Sequence, residues 1–230
     1  MSEFDAYSDT YRAEVEAALP GGLDMDRFTA SKAAHLVDLA RRRLGPPSGL
    51  TVLDVGCGTG ETDRHLDGAF GSLHGTDVAE AAVARARKTN PHVEYRAYDG
   101  ERLPHESGVF DLAFCINVIH HVPPARWGAF ARELVRVVKP GGLVAVFEHN
   151  PLNPLTRRVV SRCSFDEDAV LVPVRRAREL LDSAGAPPEE RRYILFVPSP
   201  AAWARTLERP LRAVPLGAQY YVAGRKRIRP

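Results

Sequence analysis

Long apolar runs, paired cysteines and internal repeats are missing from this 230-residue chain, and each absence removes a class of protein. No stretch approaches the roughly 18 uninterrupted apolar residues that a membrane-spanning helix needs. The acidic start MSEFDAYSDT has neither the basic nor the apolar region of a secretory leader, so a cytoplasmic protein with no membrane partner is expected. Cys57, Cys115 and Cys163 lie far apart without a C-x-x-C pair, which points to reduced thiols and away from a disulfide framework, a zinc knuckle or any metal centre. Without repeats or low-complexity tracts, the organisation has to be read from hydrophobic periodicity.

What is present is the balance of a compact globular chain, with 44% hydrophobic and 26% charged residues, enough for one full core. The formal net charge of +2 is unevenly spread. Residues 1–150 carry 16 basic against 21 acidic side chains, and residues 151–230 carry 15 against 8. The arginines of this basic part are scattered among apolar residues and no aromatic-interleaved motif accompanies them, so a solvated surface is expected and no nucleic-acid partner.

Over residues 26–44, Ala33, Leu36, Val37, Ala40 and Leu44 recur at helical spacing until Gly45-Pro46-Pro47 stops them. Strand-type runs follow at 51–55, 72–76, 93–98, 110–116 and 143–147, separated by helical stretches such as 79–89 and 124–138. Further helices are expected at 151–162 and 175–183, then two strands at 191–197 and 219–226 with a long connection and no clear helix between them. The alternation predicts an α/β fold, a Rossmann-like doubly wound sheet of seven strands, mostly parallel, with an antiparallel C-terminal hairpin strand.

The run Val52-Leu53-Asp54-Val55-Gly56-Cys57-Gly58-Thr59-Gly60 sends a buried-type strand straight into three glycines at alternate positions. Glycine there lets main chain approach a bound molecule with no Cβ in the way, at the end of the sheet where such folds hold ligands. The spacing is G-x-G-x-G, not the dinucleotide G-x-G-x-x-G, and no Gly-Lys-Ser/Thr follows. Asp54 sits where a pyrophosphate would need neutral or positive surroundings, which favours a ligand that is cationic nearby. Asp77 follows the second strand where an acid takes ribose hydroxyls, and Asp99 with Gly100 closes the third, placed to accept from an adenine amino group. Each of these acids has an alternative as a helix or turn cap.

VLDVGCGTG, the acid of Gly75-Thr76-Asp77, Asp99, FDLAFCINVIHHV and KPGG followed by LVAVFEH together resemble the class I S-adenosylmethionine-dependent methyltransferases over about residues 50–150, and within them the small-molecule branch that includes the ubiquinone and menaquinone biosynthetic enzymes. The resemblance implies S-adenosylmethionine as cofactor and S-adenosylhomocysteine as product. It implies that Gly56, Cys57, Gly58 and Gly60 line the methionine and ribose part, that Asp77 and Val78 hold the ribose, that Asp99 and Gly100 face the adenine, that Asp54 takes the α-amino group, and that Asn117 borders the cofactor. No linker interrupts the chain, so 1–230 reads as a single domain with an N-terminal helical cap at 1–48, a cofactor-binding core at 50–150, and substrate-side helices with closing strands at 151–230. As a monomer or homodimer it would act on a small-molecule partner.

A sulfonium methyl is already an activated electrophile, so the remaining work is to hold a nucleophile in line and remove its proton where it has one. After the fourth expected strand come His120 and His121, and after the fifth come Glu148, His149 and Asn150. By the resemblance, His120 is the base near its ordinary pKa of about 6.5 and Glu148 its partner. His121, His149, Asn150 and Tyr11 are substrate-binding candidates, with Tyr7, Phe28, the segment from His149 to Asp168 and Tyr220-Tyr221 as further sources of selectivity. The expected activity is methyl transfer to a small-molecule hydroxyl. N- or C-methylation and a non-methylating cyclase or regulatory module are the alternatives, whereas the missing Asn/Asp-Pro-Pro-Tyr/Phe/Trp motif argues against methylation of nucleic acid or protein.

Overall fold

The computed structural model describes residues 11–19 and 24–228. Strands β1 (Thr51–Val55), β2 (Ser72–Asp77), β3 (Glu94–Ala97), β4 (Phe110–Ile116), β5 (Val138–His149), β6 (Pro188–Ile194) and β7 (Gln219–Arg225) form one sheet in the order β3-β2-β1-β4-β5-β7-β6. Pairing is parallel from β3 across to β5, and β7 runs antiparallel between β5 and β6. Around the sheet lie α1 (Tyr11–Ala18), α2 (Met25–Leu44), α3 (Glu80–Thr89), α4 (Trp127–Val137), α5 (Pro154–Val160), α6 (Val174–Ser183) and α7 (Ala202–Glu208). This is the expected Rossmann-like doubly wound architecture, and β1 stands where the chain, having gone one way to β2 and β3, turns back to β4.

The period of two along each central strand feeds two cores. Leu53, Val55, Ala113, Cys115, Val144, Val146, Tyr220 and Val222 pack on the face that also takes Trp127, Ala131 and Leu134 of α4 and Ala177, Leu180 and Leu181 of α6. Their neighbours Val52, Leu112, Phe114, Leu143, Ala145, Phe147, Tyr221 and Ala223 pack on the other face with Ala33, Leu36, Leu39 and Ala40 of α2. Helix α2 starts where the Asp24 carboxylate accepts from the Arg27 amide at 2.8 Å and stops at Gly45, whose φ of +99° suits glycine.

Three local readings need correction. A helix, α7, does occupy the connection between β6 and β7. Its sequence AWARTLE exposes Trp203 and Leu207 and buries only Ala204 and Glu208, so it carries no apolar stripe to read. Two long-range contacts hold it: the Glu208 carboxylate lies 3.2 Å from His35 Nε2 of α2 and accepts from the Val197 amide at 2.9 Å. Helix α5 begins at Pro154 and not at 151, because Asn153 caps it, accepting from the Leu155 and Thr156 amides. Strand β6 spans 188–194 instead of 191–197, since Leu195 takes a φ of +61° and turns the chain away.

The far edge of the sheet is tied to α2 through Glu190. Its carboxylate accepts from Arg42 Nη1 at 2.8 Å, from Arg43 Nε at 2.9 Å and from the Tyr221 hydroxyl at 2.5 Å, with Arg192 also paired to it at 2.7 Å. Burial would raise this acid, yet the hydrogen bonds from Arg42, Tyr221 and Arg43 overcome it and pull it down to about 2. Stability from this group is therefore complete above the ordinary glutamate pKa and is lost as pH falls toward 2. Glu190→Gln is expected to destabilise the protein by about 1–3 kcal/mol at pH 7 and to flatten the acid limb of its pH–stability curve, as measured by urea unfolding.

Candidate active site

A cavity of about 650 Å³ opens at the carboxyl ends of β1, β2, β4 and β5, within the usual range for small-molecule sites of roughly 300–1,000 Å³. Val15 and Leu19, Phe28 with Thr29 and Lys32 of α2, Thr156 and Val159 of α5, and Phe165, Phe196 and Pro198 complete its walls. Its lining includes Asp54, Gly56, Cys57, Gly58, Asp77, Val78, Gly100, Asn117, His120, His121 and His149. Both the glycine loop and the histidines therefore face one space.

The loop is built by close approaches. A Cβ on Gly56, at φ +82°, would lie 2.4 Å from Val118 Cγ2, so only glycine passes under that side chain. Gly58, at φ +52°, has open space where its Cβ would stand. The amides of Gly56 and Cys57 donate to Thr76 O, that of Gly58 to Asp77 Oδ2 at 2.8 Å, and that of Gly60 to Cys57 O. With four of its N–H groups spent on protein acceptors, the loop is no phosphate nest. Gly60 does not line the cavity. Its role is structural, for a Cβ there would strike Asn90 Nδ2 at 2.4 Å and the Tyr95 hydroxyl at 2.9 Å.

Negative charge gathers beneath this loop. Burial, then neighbouring Asp63, raises Asp54 well above the carboxylate range, and Asp54 Oδ1 is buried without a hydrogen-bond partner. Asp63, fully buried, accepts from the Tyr95 hydroxyl at 2.7 Å, and burial still pushes it up to about 6. A buried carboxyl that faces the cavity with one oxygen unpartnered, and that a second buried acid raises further, is suited to a cationic group. Asp77 stands half-buried at the rim, one oxygen taking the Gly58 amide and the other the Ala79 amide at 2.9 Å. These residues fit the adenosyl sulfonium that the sequence implies.

Asp99 is not brought to the cavity. Its side chain is exposed and Oδ1 accepts from the Glu101 and Arg102 amides, the capping alternative, which also draws its pKa down. Asn150 is also structural: it is 1% exposed and its amide donates to Pro215 O and Gly217 O, pinning the approach to β7. Tyr220 and Tyr221 lie in the two cores with their hydroxyls donating to Val172 O and Glu190. Tyr7 and the side chain of Tyr11 fall outside the described residues.

At the other end of the cavity His120 is buried, and its Nδ1 lies 2.6 Å from Glu148 Oε2. Glu148 is fully buried behind it and takes the Ile119 amide on Oε1 at 2.8 Å. Burial alone would lower the imidazole, but Glu148 and Asp166 overcome it and push His120 up to about 9, so the expected pKa near 6.5 is corrected. His121 goes the other way, burial and then the charge on His120 drawing it to about 4, and His149 falls well below the ordinary value for the same reasons.

Lys32 was not among the expected residues. It is 7% exposed on the inner face of α2, and burial draws it down to about 8 against the pull of Asp54 and Glu148. The signal was available: one of only four lysines sits in register with Thr29, Ala33 and Leu36 on an otherwise apolar stripe. Asp63 was missed, and Asp166 was covered only within the segment from His149 to Asp168, for another reason, as each becomes part of the site only through packing that no local pattern records.

Both raised acids hold protons more tightly in the folded chain than in the unfolded one, so their contribution to stability is lost as pH rises, for Asp63 from about 4 through 6. Asp63→Asn keeps an acceptor for Tyr95 and adds a donor toward Asp54. It is expected to stabilise the protein by about 1–3 kcal/mol at pH 8 and to leave it nearly unchanged at pH 4, as measured by urea unfolding.

Residues 52–142 match the family described as Methyltransferase domain. The chain is 34% identical over 133 residues to the 2-methyl-6-phytyl-1,4-hydroquinone methyltransferase of Synechocystis, covering 51% of this chain and 41% of that protein. It is 38% identical over 112 residues to the ubiquinone biosynthesis O-methyltransferase of Pseudomonas paraeruginosa, covering 45% and 47%. The chain thus spans about half the length of the curated relatives it matches. Among solved structures, a possible histamine N-methyltransferase from Thermotoga maritima superposes with a TM-score of 0.67 at 19% identity, over 97% of this chain and 98% of that one. No described helix is long and apolar enough to cross a membrane.

Proposed function

The core of this chain is a class I S-adenosylmethionine-dependent methyltransferase domain, and from that premise we propose that the protein methylates a hydroxyl oxygen of a small molecule. The observation that carries the reading is the single cavity whose one end is the glycine loop with Asp54 and Asp77, and whose other end is the Glu148–His120 pair. Bound at the first end, S-adenosylmethionine supplies a methyl group on a positively charged sulfur.

Everything else falls to the chain's own side chains. Asp77 takes the ribose hydroxyls. Asp54, with Asp63 behind it, answers the positive charge of the methionine portion. Val118, over Gly56, and Asn117, held at a φ of +58°, form the wall between the two ends. Glu148 fixes His120 through Nδ1, as a carboxylate fixes the imidazole in a catalytic triad, so that Nε2 is the nitrogen left to meet the acceptor's hydroxyl and handle its proton. The neutral rings of His121 and His149 and the apolar side chains of Phe28, Val159, Phe165 and Phe196 suit an acceptor with an apolar or aromatic body. The named relatives, two of which act in quinone chemistry by name, agree with a hydroxylated ring as the acceptor class.

Label transfer from methyl-labelled S-adenosylmethionine to a panel of phenols, enols, amines and carbon acids tests the reading. Turnover is expected with hydroxyl acceptors, and methylation confined to amines or carbon would overturn it. His120→Ala is expected to lower kcat by about 10²–10⁴-fold while S-adenosylhomocysteine still binds within a few-fold of its original affinity. Asp77→Asn shows the converse, weakening S-adenosylhomocysteine by about 10–100-fold in calorimetry with only about 1 kcal/mol lost from stability.

A further inference from the structure

His120 and His121 belong to the turn after β4, and Asp166 to the turn after α5, yet His120 Nε2, His121 Nε2 and an Asp166 oxygen all lie within 4.8 Å of one another at the cavity wall. From Asp166 Oδ1 the two nitrogens are 3.5 and 3.4 Å away. Asp166 is 7% exposed and this oxygen is buried with no hydrogen-bond partner. Charge-assisted N–H···O bonds run at about 2.7–2.9 Å, so these separations are too long for direct bonding. Ligand atoms about 2.0–2.1 Å from a tetrahedral ion stand about 3.3–3.4 Å apart, and the two nitrogen–oxygen separations are close to that.

We propose that His120, His121 and Asp166 bind a divalent first-row transition ion at the acceptor end of the cavity. Two imidazoles and a carboxylate are a donor set such ions accept. Glu148 is the supporting carboxylate: by holding Nδ1 of His120 it leaves Nε2 to the ion and fixes the plane of the ring. The backbone reinforces the arrangement, as Val170 donates to His120 O at 2.9 Å and so clamps the Asp166 turn against the histidines. Three protein ligands leave a position open to the cavity, where the acceptor's oxygen binds.

The use of the ion, though not its binding, rests on the hydroxyl-methylating reading. A hydroxyl coordinated to a divalent ion loses its proton to water near neutral pH, so in the ion-loaded site the ion, and not Nε2 of His120, removes the acceptor's proton. The resulting oxygen anion forms the new O–CH3 bond as the S–CH3 bond breaks, the electron pair going to sulfur and the ion remaining unchanged. The acceptor class this favours carries a second oxygen next to the first, since such a pair chelates.

The test uses tag-free protein stripped with chelator and titrated with Co2+ alone, followed by visible absorption and calorimetry. One equivalent is expected to saturate a site with the intense bands of a low-coordinate ion. Asp166→Asn and His121→Gln, checked for folding by circular dichroism, are expected to weaken binding by more than about 100-fold, and Glu148→Gln by about 10–100-fold. His92→Gln, at the exposed His92–Asp67 pair, is expected to change nothing. Absence of the bands in the parent protein, or retention of them in folded Asp166→Asn and His121→Gln, overturns the proposal. Stripped protein that methylates hydroxyl acceptors at full rate sinks the ion's role and leaves the proposed activity standing. Tight Co2+ binding with no transfer to any hydroxyl does the reverse.

Discussion

Carboxylates buried at the strand ends are the constraint around which the rest of this structure is arranged. Asp54, Asp63 and Glu148 are each less than about a tenth exposed, and a buried carboxylate is costly unless it is neutralised, paired or generously hydrogen-bonded. The sheet offers three different solutions within one cavity. Asp54 and Asp63 are driven toward the protonated form, Glu148 is matched by an imidazolium and a backbone amide, and Asp77 stays at the rim where two amides and solvent share its charge. Each solution leaves a different chemical capacity, and together they give the cavity one end lined by acids and another lined by an imidazole–carboxylate pair.

That division depends on topology as much as on residue type. The reversal at β1 separates β2 from β4 at their carboxyl ends and opens the crevice between them. Val118 then leans over Gly56, which joins the two ends at a distance of closest packing: a side chain at position 56 would displace Val118 and, with it, the turn that carries His120. The glycine is thus a coupling element between the cofactor loop and the histidine turn, not only a space for a ligand.

The sheet and the glycine-loop end of the cavity were legible because their signals are local. The period of two in β1, β4 and β5, the alternate glycines and the acids at 54 and 77 all lie within short windows of sequence. The acceptor end was only partly legible. His120 and Glu148 stood out by residue type and strand-end position, but the partner that changes their chemistry, Asp166, arrives from a turn about 46 residues beyond the histidine, counting along the sequence. Asp99 and Asn150 were ambiguous for the opposite reason: Asp and Asn at strand ends are favoured by ligands and by turns alike, and here turn amides take Oδ1 of each. Helix α7 went unread because its hold on the protein is a buried polar pair, His35 with Glu208, where periodicity looks for an apolar stripe.

Two adjacent histidines with ring centroids only 4.1 Å apart end up with opposite proton affinities, and the cause is where the carboxylates stand. Glu148 reaches Nδ1 of His120 alone, so the first charge settles there and is held from behind. Burial, and then that same charge acting through a few ångströms of low-dielectric interior, draws His121 and His149 down toward the neutral form. The cavity therefore presents one charged ring and two uncharged ones instead of three cations in mutual repulsion. Such an arrangement tolerates a methyl donor that is itself positively charged at the other end, which a cluster of three imidazolium groups would repel.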